Sequence, residues 1–221
     1  MFDFQCPDYP DKVSGLERLS SFTQIESTIS GNNSWLMRVN DLVFLKFVFN
    51  EIASKKMKTI VLTPQQIEQK VVRLAYQIYE NNHEEKEIVI AGINGRGYLL
   101  AKWISRILRS ISPLKVTLGE LKIDKDNPLD KPISFSIPKK DLKGKVVLVV
   151  DDVVNSGKTL IHGVKHFLSF PTKKLRTMVM VDRSHNTYPV RADYVGISLS
   201  TSLRDHVTVE LEKGKATVYL Q

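Results

Sequence analysis

Two adjacent acids, Asp151 and Asp152, end an apolar β-branched run, Val147-Leu148-Val149-Val150, and precede a small-residue turn, Asn155-Ser156-Gly157, that leads into Lys158-Thr159. That order predicts a buried strand carrying carboxylates to the C-terminal edge of a parallel sheet, with a nest of backbone N–H groups opening a helix directly behind them. Carboxylates accept hydrogen bonds from hydroxyls and the nest holds an anion, so the two features together suit a sugar phosphate. A Walker phosphate loop is excluded, because it needs glycine five positions before Gly157 and that position is Asp152. A phospho-acceptor receiver domain also places acids at strand ends but has no use for the Asn-Ser-Gly-Lys-Thr turn. A purely structural strand and turn would leave two neighbouring buried carboxylates repelling each other, with no ligand or cation to relieve them.

A second strand-and-glycine unit lies upstream. Residues 88–93 read as a buried strand, Asn94-Gly95-Arg96-Gly97 as a turn, and 98–108 as a helix. The glycines let backbone approach an anion, the helix N-terminus adds partial positive charge, and Arg96 brings a guanidinium. Alone, such a turn often does no more than join strand to helix, and its glycine order is not the dinucleotide fingerprint. Between the two units, residues 122–142 are polar, contain Pro128, Pro132 and Pro138, and lack a helical period. A loop of that length inside a compact domain is functional or disordered.

The Asp-Asp stretch and its Ser-Gly-Lys-Thr turn resemble the 5-phosphoribosyl 1-pyrophosphate (PRPP) motif of type I phosphoribosyltransferases. Three more segments, Leu118-Gly119-Glu120-Leu121, Val181-Asp182-Arg183-Ser184-His185 and Arg191-Ala192-Asp193-Tyr194-Val195-Gly196, make the chain from about residue 57 similar to the PyrR family of pyrimidine-operon regulators and uracil phosphoribosyltransferases. The resemblance implies an α/β type I phosphoribosyltransferase fold: a central, mostly parallel sheet flanked by helices, with a small hood and a C-terminal hairpin. It implies Mg²⁺, PRPP and a nucleobase as partners, uracil favoured and hypoxanthine or guanine left open, with nucleoside monophosphate and pyrophosphate as products.

Carried over by position, the resemblance gives the ribose to Asp151 and Asp152, with Mg²⁺ held mainly by PRPP nearby. It gives the 5-phosphate to Asn155, Ser156, Gly157, Lys158 and Thr159, and the pyrophosphate to Asn94, Gly95, Arg96 and Gly97. Arg96 joins the two acids as a catalytic group, and Lys122 or Lys125 meets the pyrophosphate from a closing lid. Val181, Asp182, Arg183 and Arg191 form the base hood. The lid departs from the PyrR pattern, which is longer and carries an aromatic-Arg-Asp-Asp run where this chain reads Lys125-Asp126-Asn127-Pro128. An RNA-binding regulator of pyrimidine genes, with weak or no turnover, is the opposing class and shares the Asp-Asp motif.

Positioning these groups requires alternating elements. Thr63-Pro64-Gln65-Gln66 predicts a capping box with proline in the first helical turn, and Ile67, Val71, Leu74, Ala75 and Ile78 form that helix's core stripe. Strands near 88–93, 114–120, 145–150 and 175–181, separated by helices near 97–111 and 158–169, predict a parallel sheet with crossovers. Residues 207–211 and 216–220 read as a hairpin about a Glu-Lys-Gly-Lys turn. His162 and His166 have the spacing of two metal ligands on one helix face, but no third ligand accompanies them, so they read as a packing or solvated pair.

Residues 1–56 carry a net charge of −1 against +9 for 57–221, and the first stretch matches no part of the family. It is expected to be an extension from an early translation start, with Met57 the natural beginning, or an accessory or oligomer-contact segment. The +9 balance suits a polyanion, RNA or a phosphorylated substrate. The helix over 64–82 offers Val72, Tyr76 and Asn81 where RNA contact would want basic groups, which favours the substrate over RNA. A homo-oligomer, dimer or tetramer, is expected. The longest apolar run, Leu42–Phe49, is broken by Lys46, and the only cysteine is Cys6. Membrane spans and internal disulfides are therefore not expected, and a cytoplasmic location is.

Overall fold

A computed structural model of the chain describes residues 58–221, apart from 203–204 and 213–214. The expected extension over 1–56 and the tip of the C-terminal hairpin lie outside the described residues. In chain order the elements are β1 (Thr59–Leu62), α1 (Pro64–Glu80), β2 (Glu87–Ile93), α2 (Arg96–Ile111), β3 (Lys115–Lys122), β4 (Ser134–Phe135), β5 (Val146–Val154), α3 (Lys158–Leu168), β6 (Lys174–Asp182), β7 (Tyr194–Ser198), β8 (Val207–Glu212) and β9 (Lys215–Leu220). A 3₁₀ turn at Lys139–Leu142 leads into β5.

The main sheet has the order β4-β3-β2-β5-β6-β7. Five of its strands run parallel, and β4 lies antiparallel on β3. Helices cover both faces, so β2 and β5 are buried almost throughout, as central parallel strands must be. Alternate residues serve opposite cores. Ile88, Ile90, Leu148 and Val150 pack with α1 and α2, whereas Val89, Ala91, Val147 and Val149 pack with Leu160 and Phe167 of α3. The capping box of α1 forms: Thr63 Oγ1 accepts from Gln66 N at 3.4 Å and Gln66 Oε1 from Thr63 N at 2.9 Å. The predicted stripe, Ile67, Val71, Leu74, Ala75 and Ile78, is buried.

Three features differ from the sequence expectation. The strand carrying the acids does not stop before them. It runs through Asp151 and Asp152 to Val154, because β6 keeps pairing with it, Val153 opposite Val181 and Val154 opposite Asp182. The C-terminal hairpin becomes a three-stranded antiparallel sheet, β1-β9-β8, when Thr59–Leu62 pairs along β9. A short parallel strand, β7, follows the Arg-Ala-Asp segment. Among the described residues, no helix is long and apolar enough to cross a membrane.

Candidate active site

The continuation of β5 holds Asp151 and Asp152 inside the protein, 4% and 6% exposed. The N-terminal turn of α2 lies directly against them. A Cβ at Gly97 would stand 2.9 Å from Asp151 Oδ1 and from the Val150 carbonyl oxygen, so only glycine permits that approach. Asp151 Oδ1 accepts the Asp152 backbone N–H at 3.0 Å. Two basic side chains reach the pair from outside. Lys125 Nζ stands 3.2 Å from Asp151 Oδ1 and 3.6 Å from Asp152 Oδ1, and Arg96 Nε lies 3.5 Å from Asp152 Oδ2. Arg96 Nη1 also donates to the Val209 carbonyl, which ties the small sheet to the site. Burial, and then repulsion from Asp152, pushes the Asp151 carboxyl up to about 7 although Lys125 pulls the other way. Desolvation outweighs the ion pair here.

Behind the acids, Gly157 takes the left-handed conformation (φ 82°) and caps α3. Residues 153–160 and Asp151 line a hollow of about 80 Å³, the scale of a single phosphate. Gly95, also at positive φ, caps α2. Both helices therefore begin on a residue with no capping side chain, and first-turn amides lack partners within a helix. α1, remote from the acids in sequence, is instead closed by its own Thr63 box. The loop is braced from the other side: Thr187 N and Tyr188 N each donate to the Ser156 carbonyl at 3.0 Å. Ser156 Oγ accepts the Lys158 N–H at 3.3 Å.

The predicted lid is a long excursion between β3 and β4 with both feet fixed. At the first foot, Asn94 Oδ1 accepts the Ile123 N–H at 3.0 Å, and Asn94 N donates to the Leu121 carbonyl. The Asn94 side chain, expected at the pyrophosphate, is thus engaged in anchoring the lid. At the second foot, Ser136 exchanges two bonds with Glu120, and the Phe135 ring lies over Gly119 and edge-on to Phe167 at 5.0 Å. The tip turns on Asp124, whose Oδ1 accepts the N–H groups of Asp126 and Asn127. Lys125 then points at the acids, and Lys158 Nζ donates to the Asp126 carbonyl at 2.7 Å. Lys122, the other lid candidate, is exposed at the end of β3 opposite Ser134.

Asp182, Ser184, residues 186–190 and Arg191 line a cleft of about 880 Å³ beside the phosphate loop. Two of the expected hood residues do not present their side chains to it. Val181 is fully buried in the core. Arg183 is 4% exposed, and its guanidinium donates to Thr201 Oγ1 and to the carbonyls of Ser202 and Asp205. A planar group with five donors suits gathering the oxygens of an irregular segment, so Arg183 braces the chain after β7. His166 packs edge-on against Phe167 and Phe170. The bracing by residues 187 and 188 was missed, since backbone donors leave no mark on residue type.

The phosphoribosyl transferase domain family matches residues 58–212. The chain belongs to the phosphoribosyltransferase family. It is 32% identical over 164 residues to the bifunctional protein PyrR of Clostridium kluyveri, covering 72% of this chain and 93% of that protein. It is 33% identical over 150 residues to the bifunctional protein PyrR of Enterococcus faecalis, covering 65% and 84%. Among solved structures it resembles a hypoxanthine-guanine phosphoribosyltransferase from Bacillus anthracis at a TM-score of 0.56 and 26% identity, over 65% of this chain and 84% of the other. The hypoxanthine phosphoribosyltransferase of Trypanosoma cruzi, 17% identical at a TM-score of 0.55 over 64% and 81%, shares the fold. The chain is thus a PyrR-like type I phosphoribosyltransferase, an enzyme of the pentosyltransferase class, in a family that works on PRPP with Mg²⁺. Among the described residues, no group of three or more His, Cys, Asp or Glu side chains is placed to hold a metal. Two buried carboxylates fit a cation that brings its remaining ligands with the substrate.

Proposed function

We propose that residues 57–221 transfer the phosphoribosyl group of PRPP to a nucleobase, uracil foremost, releasing nucleoside monophosphate and pyrophosphate. The observation that carries this reading is the buried Asp151–Asp152 pair set beside two helix N-termini whose caps are Gly95 and Gly157. Asp151 and Asp152 accept hydrogen bonds from the ribose hydroxyls. Residues 155–159 hold the 5-phosphate through backbone N–H groups, and Gly95, Arg96 and Gly97 face the pyrophosphate. Magnesium bound with PRPP would neutralise the departing pyrophosphate. As the C1–O bond breaks and the base nitrogen bonds to C1, its N–H proton leaving with the departing pyrophosphate, the ribose passes through oxocarbenium character. The two carboxylates supply negative potential beneath it, and no protein nucleophile is required. The lid excludes water that would otherwise take the place of the base. The base enters the cleft beside Asp182 and Arg191.

The uracil preference rests on likeness to the PyrR proteins; the solved neighbours named for hypoxanthine and guanine make purines the competing bases. Incubation with Mg²⁺, PRPP and uracil, hypoxanthine, guanine, xanthine or orotate tests the reading. UMP is the expected product, and absence of product from every base would contradict it. The second reading, an RNA-binding regulator, draws on the word bifunctional in the relatives' name and on the +9 balance. It ranks behind because the solvent face of α1 carries Val72 and Tyr76, 36% and 54% exposed, and its exposed Arg73 is engaged on the carbonyls of Val195 and Gly196.

A further inference from the structure

We propose that Lys125 is a latch: in the substrate-free protein its ammonium holds the place on Asp151 and Asp152 that the ribose hydroxyls take, so the ligand must displace it and the lid tip together before the lid closes again over the bound substrate. This inference rests on the PRPP reading above. Lys125 Nζ reaches both acids, at 3.2 and 3.6 Å, and its side chain remains 40% exposed, so it can withdraw into water. The lid tip is held a second time, by Lys158 Nζ on the Asp126 carbonyl. These two contacts fall on the two halves of one proposed ligand site, Lys125 on the ribose acids and Lys158 within the phosphate loop. A ligand spanning both halves competes with both contacts at once. The feet of the lid do not compete, because Ile123 on Asn94 and Phe135 over Gly119 lie outside that path. Release is therefore confined to the tip around residues 124–131, whose own turn is kept by Asp124. The internal counter-cation also explains how two adjacent carboxylates stay buried. Lys125 takes the cation's role until the substrate arrives.

Lys125→Met tests this, with ribose 5-phosphate and Mg²⁺ as the probe, because that ligand carries the ribose and phosphate but no pyrophosphate. Calorimetry should show binding roughly five- to tenfold tighter in the variant, the worth of a partly exposed ion pair that the ligand no longer displaces. Amide hydrogen exchange over 124–131 should be faster in substrate-free Lys125→Met than in wild type, while residues 134–136 are unchanged. Equal exchange at the tip would overturn the latch, and so would weaker ribose 5-phosphate binding in the variant. Failure of wild-type protein to bind either PRPP or ribose 5-phosphate would instead overturn the PRPP reading. The exchange comparison decides the latch independently of that result.

Discussion

The acid site on β5 and the hood behind β6 both place charged residues at or beyond strand ends, yet they treat charge in opposite ways. In the hood, Arg183 is met by one hydroxyl and two backbone carbonyls. Asp193 is met by Arg176 at 2.6 Å and by Thr177 through both its N–H and its hydroxyl. Arg183 is answered wholly by fixed parts of the fold, and Asp193, itself partly exposed, by the Thr177 N–H and hydroxyl as well as by Arg176, whose side chain is 47% exposed. At the acid site the charges are buried more deeply than their compensation. Lys125 and Arg96 approach on side chains that are 40% and 49% exposed, and the Asp151 carboxyl is still driven up by burial. A charge answered by backbone is part of the scaffold, whereas a buried charge answered by a withdrawable side chain is open to a ligand, as the proposed function requires.

The largest effect that bears on this contrast is expected at Gly157. Valine there would force a β-branched residue into φ 82° and put its Cβ 2.7 Å from Val190 Cγ1. Calorimetry should find PRPP binding weakened by on the order of 10²-fold or more, with a stability loss of about 1–3 kcal/mol. Retained binding would remove the phosphate loop from the account. Arg183→Met tests the opposite side. It leaves buried oxygens without donors and should cost on the order of 2–4 kcal/mol in denaturant unfolding. KM for PRPP should change by less than about threefold, a shift well under 1 kcal/mol. A large rise in that KM with stability intact would make Arg183 a substrate contact and collapse the distinction between the two regions.

The smallest effect is in pH dependence. Burial, and then the neighbouring Asp152, raises the Asp151 carboxyl from its ordinary 3.8 to about 7, so between those limits the folded state binds more protons than the unfolded chain. The neutral carboxyl's contribution is complete below about pH 4 and is lost as pH rises through 7. Asp151→Asn should remove that slope. Melting temperatures of the substrate-free proteins at pH 5 and pH 8 should therefore differ more for wild type than for the variant, and equal differences would show that the carboxyl is not desolvated.

The sequence made the acid motif, its phosphate turn, the alternation of strands and helices and the core stripe of α1 legible, because each rests on local periodicity or on a turn that only certain residues make. Less was legible where partners are distant in the chain. The acids lie within β5 because β6 extends it, and that pairing leaves no local trace. Arg183 and Asp182 are both charged neighbours, yet one braces Thr201, Ser202 and Asp205 and the other lines the cleft, a difference set by segments folded against them later in the chain. Asn94 is marked in the sequence only by its glycine neighbours, whereas its side chain answers Ile123 across 29 positions. Nothing local separates Lys125 from Lys122 as the lid lysine. The Asp124 turn, which aims it, appears only when the tip is folded.

Turnover of the Asp151→Asn, Asp152→Asn double variant tests the central claim most directly, with Mg²⁺-PRPP and the base that the wild-type protein prefers. The substitutions keep shape and remove the charge, so the protein should remain folded, with a melting temperature at pH 8 equal to or above that of wild type because the buried repulsion is gone. Product formation should fall on the order of 10²-fold or more, the scale for losing an electrostatic stabiliser of the transition state. A folded double variant that turns over at near the wild-type rate would show that the buried acids are not where PRPP reacts.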